Sequence, residues 1–185
     1  ESGAHMRHLC LLTEVLLDTL VSKTKRYTLT PHERKVIVTA SAFHDIGKMG
    51  IDEKILNKSG QLTEEEYIVM KSHTLIGASM LARLDHYRDE ELARTAYQIC
   101  RWHHERWDGI KGEEIPIAAQ VVSIADAYDA LISPRVYKEG FSHEQAMQMI
   151  RNGECGAFNP LLIECLEDSQ SRIRYLASMT AERFS

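Results

Sequence analysis

Four stretches of the chain set imidazoles beside carboxylates or behind apolar runs: His44-Asp45 in "AFHDIGK", His73 in "KSHT", His103-His104 in "WHHE" and Asp126 in "SIADAYDAL". Asp45 closes the apolar segment "VIVTASAF", and a charged Asp is almost never buried without a partner. A metal ion would serve. Neighbouring residues on a helix point about 100° apart, so a surface seldom needs two imidazoles side by side, whereas a pair of ions lying between helices uses both. Five or six imidazole and carboxylate ligands exceed the four of a closed structural zinc site and point to two metals or more. Two cations a few Å apart lower the pKa of a bridging water and neutralise charge developing on phosphoryl oxygens, which is the chemistry of phosphoester hydrolysis by an activated hydroxide.

The elements that must position these residues read as helices. Leu9, Leu12, Leu16 and Leu20 recur at three- and four-residue steps and predict a helix with one buried face over 9–21. A second helix is expected from Pro31 through "HERKVIVTASAFHDIG" until Gly47 and Gly50 disrupt it. Thr63 with Glu66 makes a capping-box pattern, from which "EEEYIVMKSHTLIGASMLARL" continues as one amphipathic helix. Further helices are expected at about 88–107, 116–132, 142–152, 160–168 and 170–183, the second ending before Pro134. Alternating strand patterns are absent, and the expected fold is a single all-α bundle with its ligands facing inward from several helices.

With 185 residues and 44% hydrophobic content the chain can bury a core without metal or disulfide staples, so a metal here has a use other than holding the fold. The net charge of -5 excludes a broad basic surface for a DNA or RNA polymer, and any phosphate ligand needs a local site. Cys10, Cys100, Cys155 and Cys165 are widely spaced, with no CxxC pair, and read as reduced, buried thiols of a cytoplasmic protein. There is no apolar run of about 20 residues for a membrane span. In "ESGAHM" the last four residues resemble a cloning scar, and a start without an initiator Met predicts a piece of a larger protein.

Taken together, "HDIGKMGI", "LTEEEYIVMKSHTLIGASML", "HHERWDG", "KGEEIP", "IADAYDAL" and "RVYK" resemble the HD-GYP family of the HD superfamily of metal-dependent phosphohydrolases, from Glu1 to about Leu166. The resemblance implies a cytosolic, all-helical phosphodiesterase that linearises cyclic di-GMP to pGpG or GMP on two or three divalent metals. Iron or manganese is expected, while His/carboxylate sites also accept zinc, nickel and others. It implies His5, His44, Asp45, His73, His103, His104 and Asp126 as ligands, with Asp45 bridging. Some members add a third metal through a Glu four residues before the first His, and Glu1 stands at that spacing from His5; a solvated terminal acid is the alternative.

Lys48, three residues beyond Asp45, is expected to contact the scissile phosphate or protonate the leaving oxygen, against a merely solvated Lys. The resemblance also implies Asp129 and Lys138 on the substrate wall, with Arg135 offering a fork to phosphate or a guanine edge. An exposed helix-end salt bridge would account for the same three residues. His8 flanks His5; His32, His86 and His143 are expected in solvated caps or turns, and Trp102, Trp107 and Tyr128 in the core or pocket wall.

The family is named in part for a Gly-Tyr-Pro triplet after its "HHE..DG", and here Gly109 is followed at once by Ile110-Lys111. Either the loop is deleted, or residues of the protein are missing from the sequence at that join. All the implied ligands lie outside the gap, so the bundle and metal binding survive a deletion. Cyclic di-GMP specificity and docking onto GGDEF-domain partners would not be assured. The competing functions are therefore a phosphodiesterase at the output end of a protein with an upstream receiver or sensor, a catalytically impaired metal- or nucleotide-binding module, and a hydrolase of another cyclic or linear nucleotide. Oligomerisation is compatible with each.

Overall fold

A computed structural model describes residues 3–87, 90–109, 112–134 and 140–181. The described residues include ten α-helices and no strand. They are α1 (Gly3–Lys23), α2 (Pro31–Ser41), α3 (Glu53–Leu56), α4 (Glu64–Lys71), α5 (His73–Ala82), α6 (Glu91–Trp102), α7 (Ile117–Ile132), α8 (His143–Arg151), α9 (Pro160–Asp168) and α10 (Gln170–Ala181).

The leucine stripe does what its spacing predicts. Leu9, Leu12, Leu16, Leu17 and Leu20 are all fully buried, and α1 packs on α2, α7, α9 and α10. Each such side chain contributes about 1.5–3 kcal/mol of burial. Helix α7 runs through the middle, with Val121, Val122, Ile124, Ala125 and Tyr128 inaccessible to solvent. A helix buried on so much of its circumference is a rigid rod on which to mount an acid.

Helix starts are strongly marked. Thr30 with Glu33, Thr63 with Glu66 and Ser142 with Gln145 all form reciprocal capping boxes, of which the second was legible in the sequence. Helix α6 closes at Trp102, short of the expected 107, and two further helix ends differ from expectation. Helix α2 stops at Ser41, six residues before Gly47, and the chain turns through His44 and Asp45 into a 3-10 segment, Ile46–Gly50. The single helix expected after Thr63 breaks at Ser72, whose hydroxyl turns back to donate to the Val69 carbonyl at 2.7 Å. Both breaks deliver a histidine to the interior.

Cys100 and Cys165 are buried and Cys10 and Cys155 half-buried, all as free thiols. Tyr128 lies in the core, and its hydroxyl meets His143 Nδ1 at 2.8 Å, so His143 is tied to the bundle where solvent was expected. His32 and His86 are exposed. Among the described residues no helix is long and apolar enough to cross a membrane.

Candidate metal centre

The implied ligands that the structure describes come from five places in the chain and meet between helices. His5 stands in the first turns of α1, inside the "GAHM" that resembles a cloning scar, and that tetrapeptide is ordinary helix here. His44 and Asp45 lie in the turn after α2, His73 opens α5, His103 and His104 close α6, and Asp126 is carried by α7. Glu1, Arg135 and Lys138 lie outside the described residues, as does the Ile110-Lys111 join.

Three of the imidazoles are aimed by the same device. The last carbonyls of an α-helix have no intrahelical donor. His44 Nδ1 donates to the Ser41 carbonyl at the end of α2 (3.0 Å), and His73 Nδ1 to the Met70 carbonyl at the end of α4 (2.6 Å). His103 Nδ1 donates to the Ile99 and Cys100 carbonyls in the last turn of α6, at 3.0 and 3.2 Å. A carbonyl can only accept, so each Nδ1 carries the proton and each Nε2 is left with a lone pair. Those Nε2 atoms all face the Asp45 carboxylate, and a ring held through its Nδ1 is the way metal-ligating histidines are oriented by their outer partners.

Asp45 stands at the junction. Its Oδ1 lies 3.0 Å from His73 Nε2 and 3.8 Å from His103 Nε2, while its Oδ2 lies 3.1 Å from His44 Nε2. Asp126 Oδ1 faces His5 Nε2 at 3.7 Å and His44 Nε2 at 3.8 Å. The donor atoms therefore fall into two groups, Asp45 with His73, His103 and His104, and His5 with His44 and Asp126, each with its atoms within 4.8 Å of one another.

This set fits cations. His73 and His103 are buried, and their Nε2 atoms have no hydrogen-bond partner among the described residues. A lone pair facing a carboxylate oxygen at about 3 Å is repulsive unless a positive charge lies between them. Burial, with the neighbouring His104 and His44, holds His103 well below the ordinary imidazole range, so a proton is a poor candidate for that charge. His104, at the exposed rim, is lowered to about 4 by desolvation and by His73. Burial, and secondarily the charge of Asp45, raises Asp126 although His44 and His5 pull it down. Two neutral-imidazole and carboxylate groups a few Å apart are a receptacle for a pair of divalent ions.

Lys48, on the 3-10 segment, reaches Asp45 Oδ2 at 2.5 Å and so stands beside the junction, partly exposed. Asp129 differs from expectation. It is 1% exposed, and its two oxygens take the Nδ1 protons of His5 and His8, so it does not stand on an open wall. Burial alone would raise its pKa, but those two hydrogen bonds outweigh it and hold the carboxyl below the usual range.

Two contributors carried no sequence signal. The Cys100 thiol donates to the Phe43 carbonyl at 2.9 Å and ties the His44-Asp45 turn to α6. Arg106 donates to Ser123 Oγ at 2.8 Å and lies over the Phe158 ring, while the Trp107 amide donates to the Ala157 carbonyl at 3.0 Å. These bonds fasten the turn after His104 to α7 and to "GECGAFNP". The presence of Cys and Arg was legible; their partners 57 and 17 residues away were not.

The HD domain family model matches residues 5–159. A "Cyclic di-GMP phosphodiesterase" of Vibrio cholerae serotype O1 is 38% identical over 172 residues, which are 89% of this chain and 35% of the relative. Another "Cyclic di-GMP phosphodiesterase", from Thermotoga maritima, is 39% identical over 131 residues, 68% of this chain and 34% of that protein. A "3'3'-cGAMP-specific phosphodiesterase 2" of Vibrio cholerae serotype O1 is 34% identical over 172 residues, 90% of this chain and 31% of its own. The chain thus spans about a third of the length of these curated relatives.

Proposed function

The chain belongs to the HD domain family, and on that premise we propose that it is a metal-dependent phosphodiesterase domain that hydrolyses cyclic di-GMP to pGpG and/or GMP. The observation that carries this reading is Asp45, whose two oxygens face separate groups of imidazoles. A carboxylate so placed would be shared by two ions, and a pair of ions suits an in-line displacement at phosphorus.

His73, His103 and His104 would hold one ion and His5, His44 and Asp126 the other, with Asp45 shared. HD domains bind divalent metals, and the donor set here suits iron or manganese, with zinc and nickel also compatible. Bound there, the cations lower the pKa of a water and offset the charge that grows on the phosphoryl oxygens. A water oxygen adds to phosphorus and the P–O3′ bond breaks. Lys48, 2.5 Å from Asp45 Oδ2, would stand beside the reacting phosphate, where its ammonium would pair with a phosphoryl oxygen or give its proton to the leaving O3′. Arg135 and Lys138 would hold the substrate's second phosphate or a guanine edge.

The reading extends to the whole protein. We take the chain as one domain at the output end of a longer cytoplasmic signalling protein, with a receiver or sensor upstream and GGDEF-domain proteins as candidate partners. A second substrate, the cyclic dinucleotide of guanine and adenine, is favoured by the relative whose name specifies 3'3'-cGAMP.

The test is product analysis of both cyclic dinucleotides incubated with anaerobically purified protein, with iron(II) or manganese(II) added. Linear pGpG or GMP from cyclic di-GMP is the expected result. Turnover of the mixed cyclic dinucleotide alone would select the second substrate. Metal occupancy with no product from either would leave a binding module, as the short join after Gly109 would then explain.

A further inference from the structure

Asp126 and Asp129 lie one turn apart on α7, and His5 and His8 lie one turn apart on α1, with the two helices packed together. The first residue of each pair belongs to the centre, His5 Nε2 facing Asp126 Oδ1 at 3.7 Å. The second residue of each pair lies behind it. Asp129 Oδ2 takes the Nδ1 proton of His5 and Asp129 Oδ1 takes that of His8, with Asp129 1% and His8 4% exposed.

Three other ligand histidines, His44, His73 and His103, are aimed by helix-terminal carbonyls. His5 lies in the first turns of its helix, and its Nδ1 meets a side chain of the neighbouring helix, the Asp129 carboxylate. We propose that Asp129 is a positioning residue that fixes the His5 ring for the ion shared with His44 and Asp126, and that His8 holds Asp129 in that orientation. This rests on the reading of the centre as a two-ion site.

The geometry makes the role specific to one ion. Asp129 bonds to no histidine of the group formed by Asp45, His73, His103 and His104, whose orienting acceptors belong to α4 and α6. Its carboxylate has both oxygens engaged and a closed environment, so a substrate phosphate has no approach to it. His8 is the counterpart: its Nδ1 is spent on Asp129, and its buried Nε2 has no hydrogen-bond partner among the described residues. Without His8, Asp129 Oδ1 would be a buried carboxylate oxygen lacking a donor, and the carboxylate would be held at one end only.

The experiment is titration of chelator-treated protein with manganese(II), read as ions bound per chain and the affinity of each, on wild type, Asp129→Asn, His8→Leu and His8→Gln. Outer partners of metal-bound histidines are worth about 10–100-fold in affinity. Wild type should bind two ions. Asp129→Asn should keep one at wild-type affinity and weaken the other by that factor. His8→Leu should weaken the same ion, and His8→Gln, whose amide can donate to Asp129 Oδ1, should restore it. Thermal unfolding checks the fold. If Asp129→Asn does not unfold cooperatively, the two His8 variants decide. Asp129→Asn binding both ions at wild-type affinity, or both ions weakened together in a folded chain, overturns the proposal and leaves the two-ion reading standing. Wild-type protein that binds no ion overturns both.

Discussion

Gly47 approaches His73 so closely that a Cβ on Gly47 would lie 1.9 Å from the His73 carbonyl oxygen and 2.4 Å from the Gly77 amide nitrogen. This contact brings the 3-10 segment onto α5 and sets Asp45 Oδ1 3.0 Å from His73 Nε2. Gly47→Ala has only backbone to push against and must part the two elements, at a cost of about 1–3 kcal/mol or more. Urea denaturation should show that loss, accompanied by weaker metal binding. Gly77→Ala, whose Cβ would meet Gly47 N at 3.0 Å and Ile46 Cγ2 at 3.2 Å, should cost less. A Gly47→Ala protein as stable as wild type would contradict the packing described.

Lys48 should matter for turnover and not for metal. Its ammonium lies beside Asp45, yet it is a cation and no ligand. Lys48→Met is expected to lower kcat/KM for cyclic di-GMP by about 100-fold, the usual scale for a lost proton donor. Its metal content should equal that of wild type. Loss of metal together with activity would assign Lys48 a structural role.

Burial, assisted by the charge of Asp45, pushes the Cys100 thiol up to about 12. The folded chain therefore keeps the thiol proton over a range in which the unfolded chain, titrating near 9, gives it up. The unfolded state is favoured as pH rises through that window, so this group contributes stability below about 9 that is lost towards about 12. A thiol reagent at pH 8 should spare Cys100 in the native protein and label it in denaturant, read by peptide mass. Rapid native labelling would contradict the buried bond to Phe43.

Acid should weaken the metal-free protein. His103 is held well below the ordinary imidazole range, chiefly by burial, whereas an unfolded His titrates near 6.5. As pH falls below about 6.5 the unfolded chain binds a proton that the folded chain resists, and stability declines. Asp129, held down by its two histidines, adds to the loss at lower pH, while Asp126, held up by burial, opposes it. Chelator-treated protein should show a falling denaturation midpoint from about pH 7 to about pH 4.5. A flat or rising midpoint would contradict the buried neutral state of His103.

Much of this arrangement was legible in the sequence. The leucines of α1 and the Thr63 capping box announced their helices through local spacing, and adjacent His-Asp and His-His pairs stand out because few other uses need them. What escaped reading was long-range or three-dimensional. Gly47 reads as a helix breaker, and its actual use is to let backbone meet backbone at α5. Asp129 reads as part of a substrate motif, because nothing in the local pattern shows that its partners His5 and His8 lie 124 and 121 residues away. The breaks at Ser41 and Ser72 were hidden because "VIVTASAFHD" and "VMKSHTLIG" keep a helical apolar period across them.

Asp45 as a bridge is the central claim, and counting ions tests it most directly. Protein purified anaerobically and loaded with iron(II) or manganese(II) should carry at least two ions per chain. Asp45→Ala should lose them while its circular dichroism keeps most of the helical signal, since the apolar core of α1 and α7 does not depend on the centre. A wild type that saturates with one ion or none, or an Asp45→Ala protein that still binds two, would contradict the account.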